Sequence, residues 1–168
     1  MIQIYTGEGK GKTTAAIGLA VRAAGHGLGV FVGQFLKGRP TGEIQTLSRI
    51  EEVTIEQFGD PEFVVPGKVD EEARELADRG LRRVREALAS GSFSLVVLDE
   101  INVALSLGVL SEELVRELLD RVPEDVELIC TGRGAPAWLI ERADLVTEMR
   151  PLKHYADHGV QARPGIEY

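Results

Sequence analysis

Residues 6–14, TGEGKGKTT, constrain this chain more than any other stretch of it. An alternating apolar segment from Met1 to Thr6 leads into the glycines, and an alanine-rich, proline-free run leads out, so the pattern predicts strand, loop and helix in that order. That context makes the glycines a phosphate-binding loop. Successive backbone N–H groups share one concavity, the helix N-terminus adds partial positive charge, and Gly7, Gly9 and Gly11 put no Cβ in the way of phosphate oxygens. Lys12 supplies a mobile point charge, and Thr13 a hydroxyl suited to a hard cation such as Mg²⁺. The spacing G-x-x-x-x-G-K-[ST] would place a glycine at position 6; here Thr6 stands there and Gly7 follows, so the loop is a variant. The alternative reading is a glycine-rich turn with incidental lysines.

Hydrophobic patterning sets the rest of the architecture. Strands are predicted at 1–6, 29–36, 53–58, 95–98, 126–130 and 145–149. The first helix should occupy 12–24 and stop at Gly25 and Gly27. Asp70 can cap a second helix, with Glu71 and Glu72 in its first turn and Val69, Ala73, Leu76, Ala77, Leu81, Val84 and Leu88 on one face. Ser111 opens a third helix that buries Leu114, Val115, Leu118 and Leu119, and a short fourth covers 137–143. Residues 59–68, with two prolines and two glycines, read as a loop, and the tail from Arg150 as irregular. Alternating strands and helices imply an α/β, three-layer P-loop NTPase (RecA-like) fold with a mostly parallel six-stranded sheet flanked by helices. The reading is of a single nucleotide-binding domain, 1–168, with the tail at about 150–168.

A second motif, LVVLDE at 95–100, is an unbroken apolar strand ending in two carboxylates. Ligands of open α/β sheets sit at the carboxyl ends of strands, so Asp99 and Glu100 can hold a metal with Thr13 or orient water. A solvated loop start or a helix cap is the alternative. The formal net charge of −8 disfavours nucleic acid or an anionic membrane as partner. No apolar run reaches the ~18–20 residues a membrane span needs, no secretory signal is evident, and Cys130 is the only cysteine, so the cytoplasm is expected.

Several segments together resemble the ATP:corrinoid adenosyltransferases of the cob(I)alamin type: GEGKGKTTAAIGLAVRAAGHG (7–27), VGQFLKG (32–38), LVVLDE (95–100), CTGRG (130–134) and the tail RPLKHYADHGVQARPGIEY (150–168). The tail is similar to that family's closing segment, a lysine–histidine pair followed by G-V-x-A-x-x-G-I-[DE]-[YFW]. The resemblance implies that ATP lies in the loop in reverse sense, so that reduced cobalt of a corrinoid attacks the ribose 5′ carbon and tripolyphosphate leaves. It assigns Gly7, Glu8, Gly9, Lys10, Gly11, Lys12, Thr13 and Thr14 to the nucleotide, and Arg22 and Arg133 to the nucleotide end of the site. Thr13 and Glu100, with Asp99 beside them, are assigned to Mg²⁺ or Mn²⁺. Lys12, Glu100 and Arg133 form the implied catalytic set. Lys37 stands at a strand end where it can meet phosphate or simply solvent. A reducing flavoprotein and a homodimer are also implied.

The chain departs from that pattern in three places. The strand begins at Met1 or Ile2, where better-known members carry a preceding helix or arm over the site. The loop after the third strand reads QFGDPEFVVPG, with Phe58 and Phe63 in place of an aromatic pair associated with displacing cobalt's lower ligand. Glu8 stands where asparagine is frequent, tolerable beside phosphates only if it turns away or toward metal-bound water. Other candidates read as structural: His154 and His158 as surface or tail packing, Cys130 as core, and Trp138 as core or interface. Two other functions fit the loop motif: an ordinary ATPase or phosphotransferase, and a nonenzymatic, ATP-switched RecA-like binding module.

Overall fold

A computed structural model describes residues 1–60 and 71–167. Six strands form one sheet: β1 (Ile2–Thr6), β2 (Val30–Phe35), β3 (Val53–Phe58), β4 (Leu95–Asp99), β5 (Glu127–Thr131) and β6 (Leu145–Glu148). Their order is β3-β2-β4-β5-β1-β6, and every pairing is parallel. Helices α1 (Lys12–Ala24), α2 (Gly42–Leu47), α3 (Glu71–Ala89), α4 (Ile101–Ser106), α5 (Glu112–Leu119) and α6 (Ala137–Arg142) lie between the strands.

Strand order and crossover handedness together decide which helix covers which face. From β1 to β2 to β3 the chain steps one way along the sheet; from β3 through β4 and β5 to β6 it steps back. Right-handed crossovers must then send α1 and α2 to one face and α3 to α6 to the other. The buried clusters follow that division. Ala16, Ala20, Ala24 and Leu47 pack against Val30, Val32, Val97 and Ile129. Ala77, Leu81, Val84, Ile101, Val115, Leu118 and Leu139 pack against Ile4, Phe31, Phe35, Phe58, Val96, Leu98 and Leu128. Successive residues of β2 and β4 thus feed opposite cores, as strands covered on both faces must.

All six sequence-read strands are present, with ends shifted by a residue or two. Two helices escaped the pattern. In α2 only Leu47 is buried, so six residues carry no readable period; α4 follows the acidic strand end so closely that it read as one helical turn. The αL stop after α1 falls on Gly27 (φ 72°), since Gly25 is still helical. Leu114 and Leu76 are half-buried at the edges of their helix faces. The proposed loop beyond Asp60, including Phe63, and the Val69–Asp70 start of α3 lie outside the described residues, as does Tyr168. The tail is irregular apart from a 3₁₀ turn, Tyr155–His158.

One core contact was invisible in the pattern. Gly80 sits mid-α3, where an added Cβ would come within 2.7 Å of Phe58 and 2.8 Å of Phe35. Its missing side chain lets those two rings, 5.7 Å apart, lie under the helix.

Candidate functional site

A crevice at the carboxyl end of a parallel sheet opens where neighbouring strands send their connections to opposite faces. Here β1 leads to α1 while its neighbour β5 leads to α6; β2 leads to α2 while its neighbour β4 leads to α4. The loops after these four strands line one crevice of about 760 Å³. Its walls include Gly9 to Thr14, Lys37, Glu43, Glu100, Arg133 and the tail residues His154, Tyr155, Ile166 and Glu167. A second cavity of about 630 Å³ lies at the opposite edge, beside Ser94 and Val126 at the strand starts, away from every motif read in the sequence.

The phosphate loop is held from behind. Gly7 and Gly11 have φ values of 94° and 120°, in the range that favours glycine. A Cβ on Gly7 or Gly9 would strike the Met149 carbonyl oxygen at 2.5 or 2.7 Å. The loop packs on the end of β6 through Met149 N–H donating to Thr6 O (2.8 Å) and Gly9 N–H donating to Met149 O (2.7 Å). No side chain caps the N-terminus of α1, which leaves its first-turn amides facing the crevice. The Lys12 ammonium donates to Gly7 O and Gly9 O, both at 2.7 Å. Burial, and secondly the Arg133 charge, push its pKa down.

Asp99 is the hub of the far wall. It is fully buried, and four donors converge on its carboxylate. Thr13 and Thr131 hydroxyls donate to Oδ1 at 2.8 and 2.6 Å; Gln34 and Lys37 donate to Oδ2 at 3.1 and 2.7 Å. The Thr13 hydroxyl therefore meets Asp99 rather than Glu100. Thr131 reaches it because β5 lies between β1 and β4. Glu100 follows in the left-handed region (φ 63°), an uncommon conformation for a side chain of this size, and its N–H donates to Thr131 Oγ1 at 3.0 Å. Burial first, then Asp99, raise its pKa. Among the described residues no three His, Cys, Asp or Glu side chains gather into a metal cage. The oxygen donors Thr13, Asp99 and Glu100 suit Mg²⁺, which takes one or two protein ligands and completes its shell with phosphate and water.

The tail returns over the loop. Lys10 donates to Ile166 O (2.6 Å) and pairs with Glu167 (3.0 Å). Tyr155 O–H and the Arg163 N–H (2.7 Å) also donate to Glu167, and these contacts, Arg163 foremost, hold that carboxylate well below its ordinary pKa. The tail is otherwise exposed; His154, Tyr155 and Glu167 are its half-buried residues among those described.

The remaining sequence candidates divide cleanly. Glu8 turns outward and pairs with Arg133 (3.2 Å), an exposed contact that brings Arg133 to the loop's edge. Arg22 is not brought to the crevice: it is exposed in the last turn of α1, about 15 Å along the axis from Lys12 by helix rise. Phe58 is committed to the core and presents no ring to a ligand. Trp138 is half-buried on α6 with the Arg116 guanidinium 3.9 Å over its ring. Cys130 is buried, its thiol pushed up to about 12 by desolvation. His154 Nδ1 accepts from Ala156 N–H at 3.1 Å. Sequence reasoning gave no role to Gln34, Thr131 or Glu167, although each stood inside a quoted segment; nothing in a one-dimensional pattern says that they share one crevice.

The whole chain, residues 1–168, matches the family described as ATP:corrinoid adenosyltransferase BtuR/CobO/CobP. The corrinoid adenosyltransferase of Escherichia coli (strain K12) is 40% identical over 176 residues, covering 100% of this chain and 85% of that protein. An uncharacterized protein of Nostoc sp. is 41% identical over 167 residues; the match takes in 91% of this chain and 44% of the Nostoc protein, so the chain spans less than half of that relative. Among solved structures, a KaiC-like protein from the archaeon Pyrococcus horikoshii shares the fold, with a TM-score of 0.57 at 18% identity over 90% of this chain and 72% of that one.

Proposed function

The chain belongs to the ATP:corrinoid adenosyltransferase family, and from that premise we propose that it transfers the 5′-deoxyadenosyl group of ATP to the cobalt of a reduced corrinoid and releases tripolyphosphate. One observation carries this reading. Two of the segments that carry the family resemblance, QFLKG and the tail, both reach the phosphate loop, Lys37 through Asp99 and Thr13, Glu167 through Lys10. A generic nucleotide site would need neither.

The chemistry asks the protein for positioning rather than a nucleophile. The electron pair of reduced cobalt attacks C5′ of ATP, the C5′–O bond breaks, and its electrons leave with the tripolyphosphate oxygen. Amides of Lys10 to Thr13 and the Lys12 ammonium hold the polyphosphate, so that charge developing on the leaving oxygen meets donors already in place. Releasing Lys12 from Gly7 O and Gly9 O frees its donors for phosphate. Arg133 adds a second cation at the loop's edge. Mg²⁺, when held by Thr13 with Asp99 and Glu100, would neutralise part of the triphosphate charge. Tail residues Tyr155 and Glu167 line the side of the crevice next to the loop. No described helix is long and apolar enough to cross a membrane, and we place the enzyme in the cytoplasm, acting as a homodimer with a reducing flavoprotein.

The test is a spectrophotometric assay with chemically reduced corrinoid, ATP and Mg²⁺. Appearance of the adenosyl-corrinoid spectrum with tripolyphosphate as the phosphate product is expected. Steady release of ADP or orthophosphate with no cobalt–carbon bond would refute the assignment and favour an ordinary ATPase.

A further inference from the structure

Asp99 has no acceptor capacity to spare. An ionised carboxylate offers about four lone-pair positions, and Thr13, Thr131, Gln34 and Lys37 occupy them. Direct ligation of a divalent ion by Asp99 therefore requires one donor to leave. Three of the four are fixed. Thr131 is fully buried and already accepts the Glu100 N–H. Gln34 is fully buried, and its oxygen accepts from Gln57 Nε2 at 3.1 Å. Thr13 belongs to the first turn of α1. Thr13 shares the crevice wall but has a short side chain; Lys37 alone combines a place there with a long flexible stem and 26% side-chain exposure.

The backbone aims Lys37 there at a cost. Leu36, just before it, sits in the left-handed region (φ 57°), costly for a residue with a γ-branched side chain. Gly59 permits this bend: a Cβ there would lie 2.3 Å from Lys37 N and 2.4 Å from Leu36 C. A lysine serving only solubility needs no strained, glycine-backed turn. The Asp99 carboxylate at 2.7 Å holds the ammonium at the crevice wall.

We propose that Lys37 is a built-in counter-cation that holds Asp99 until a metal–polyphosphate enters, then exchanges places with the divalent ion and moves onto the triphosphate. The inference deepens the function proposed above, since it presumes that the crevice takes a polyphosphate chain. It makes metal and nucleotide arrive together: a divalent ion alone must compete with a tethered ammonium, whereas a metal-bound triphosphate offers that ammonium a better partner. It also assigns the leaving group a second lysine beside Lys12.

The test uses the full chain, freed of nucleotide, in four forms: wild type, Lys37→Met, Lys37→Gln and Lys37→Arg. Mn²⁺ binding without nucleotide is read by electron paramagnetic resonance, and binding of Mg²⁺–tripolyphosphate by calorimetry. Both neutral variants should bind Mn²⁺ alone at least about tenfold more tightly than wild type and tripolyphosphate at least about tenfold more weakly, whereas Lys37→Arg should follow wild type. Glutamine retains a donor toward Asp99, so it keeps the test open if methionine impairs folding, which circular dichroism monitors. Unchanged Mn²⁺ affinity in the neutral variants, or unchanged tripolyphosphate affinity, would overturn the proposal. Neither measurement involves a corrinoid; failure of wild-type adenosyl transfer would defeat the enzymatic assignment while leaving the exchange of cations separately decided.

Discussion

Asp99→Asn tests the hub of the crevice with the smallest change of shape. The amide has one acceptor oxygen and one donor group where the carboxylate has two acceptors. Its best placement keeps the oxygen toward Gln34 and Lys37 and turns the NH₂ toward Thr13 and Thr131, whose hydroxyls must reverse to accept. Thr131 already accepts the Glu100 N–H, so it becomes crowded, and the bond from Lys37 loses its ionic partner. Hydrogen bonds to charged groups contribute ~1.5–3 kcal/mol and neutral ones ~1. With partial exposure of Lys37 screening its charge, the net loss comes to about 2 kcal/mol. For a chain of this length that is ~4–8 °C in Tm. The assay is thermal and urea unfolding of wild type, Asp99→Asn, Lys37→Met and the double variant. The cycle should be non-additive by about 1 kcal/mol or more, because both single changes break one ion pair. A Tm within about 1 °C of wild type, or strict additivity, would show that this carboxylate does not organise its donors as described.

Three other outcomes follow from the same geometry. Lys12→Ala should weaken ATP binding by about a hundredfold or more and abolish transfer, with the circular dichroism spectrum and Tm nearly unchanged, because its partners are loop carbonyls that water can serve. Gly80→Ala should lower stability by up to ~2 kcal/mol in urea unfolding, since ~1–3 kcal/mol of overpacking against Phe35 and Phe58 outweighs the ~1 kcal/mol of helix propensity gained. Cys130, raised to about 12 by burial, stays protonated in the folded protein between about pH 9 and 12 while the unfolded chain ionises. The folded state then binds more protons, so stability falls with rising pH by up to ~1.4 kcal/mol per pH unit from this group, and Cys130→Ala should flatten that slope relative to wild type.

The fold was legible because its signals are local. Strand β4 is an apolar run, α3 a clean face repeat, and the phosphate loop a motif of fixed spacing. What the sequence withheld are consequences of meeting in space. Arg22 stood within the matched segment, yet helix rise carries it to the far end of α1. Asp99 and Glu100 are equivalent as letters. They separate only because the strand still holds Asp99 facing inward while Glu100 enters a left-handed turn. Gly80 carries no apolar side chain to read in a pattern, yet it is the slot for two rings.

The position of the tail can be derived from topology. β6 pairs in parallel with β1, so its carboxyl end must lie beside the end of β1, where the phosphate loop begins. Whatever follows β6 starts within hydrogen-bonding distance of that loop, as the Met149 contacts with Thr6 and Gly9 show. No described strand follows β6, and the tail residues His154, Tyr155, Ile166 and Glu167 line the crevice. Lys10 ties the loop to Glu167, and Glu167 ties in Tyr155 and Arg163, so a change in the tail alters the loop's own electrostatics.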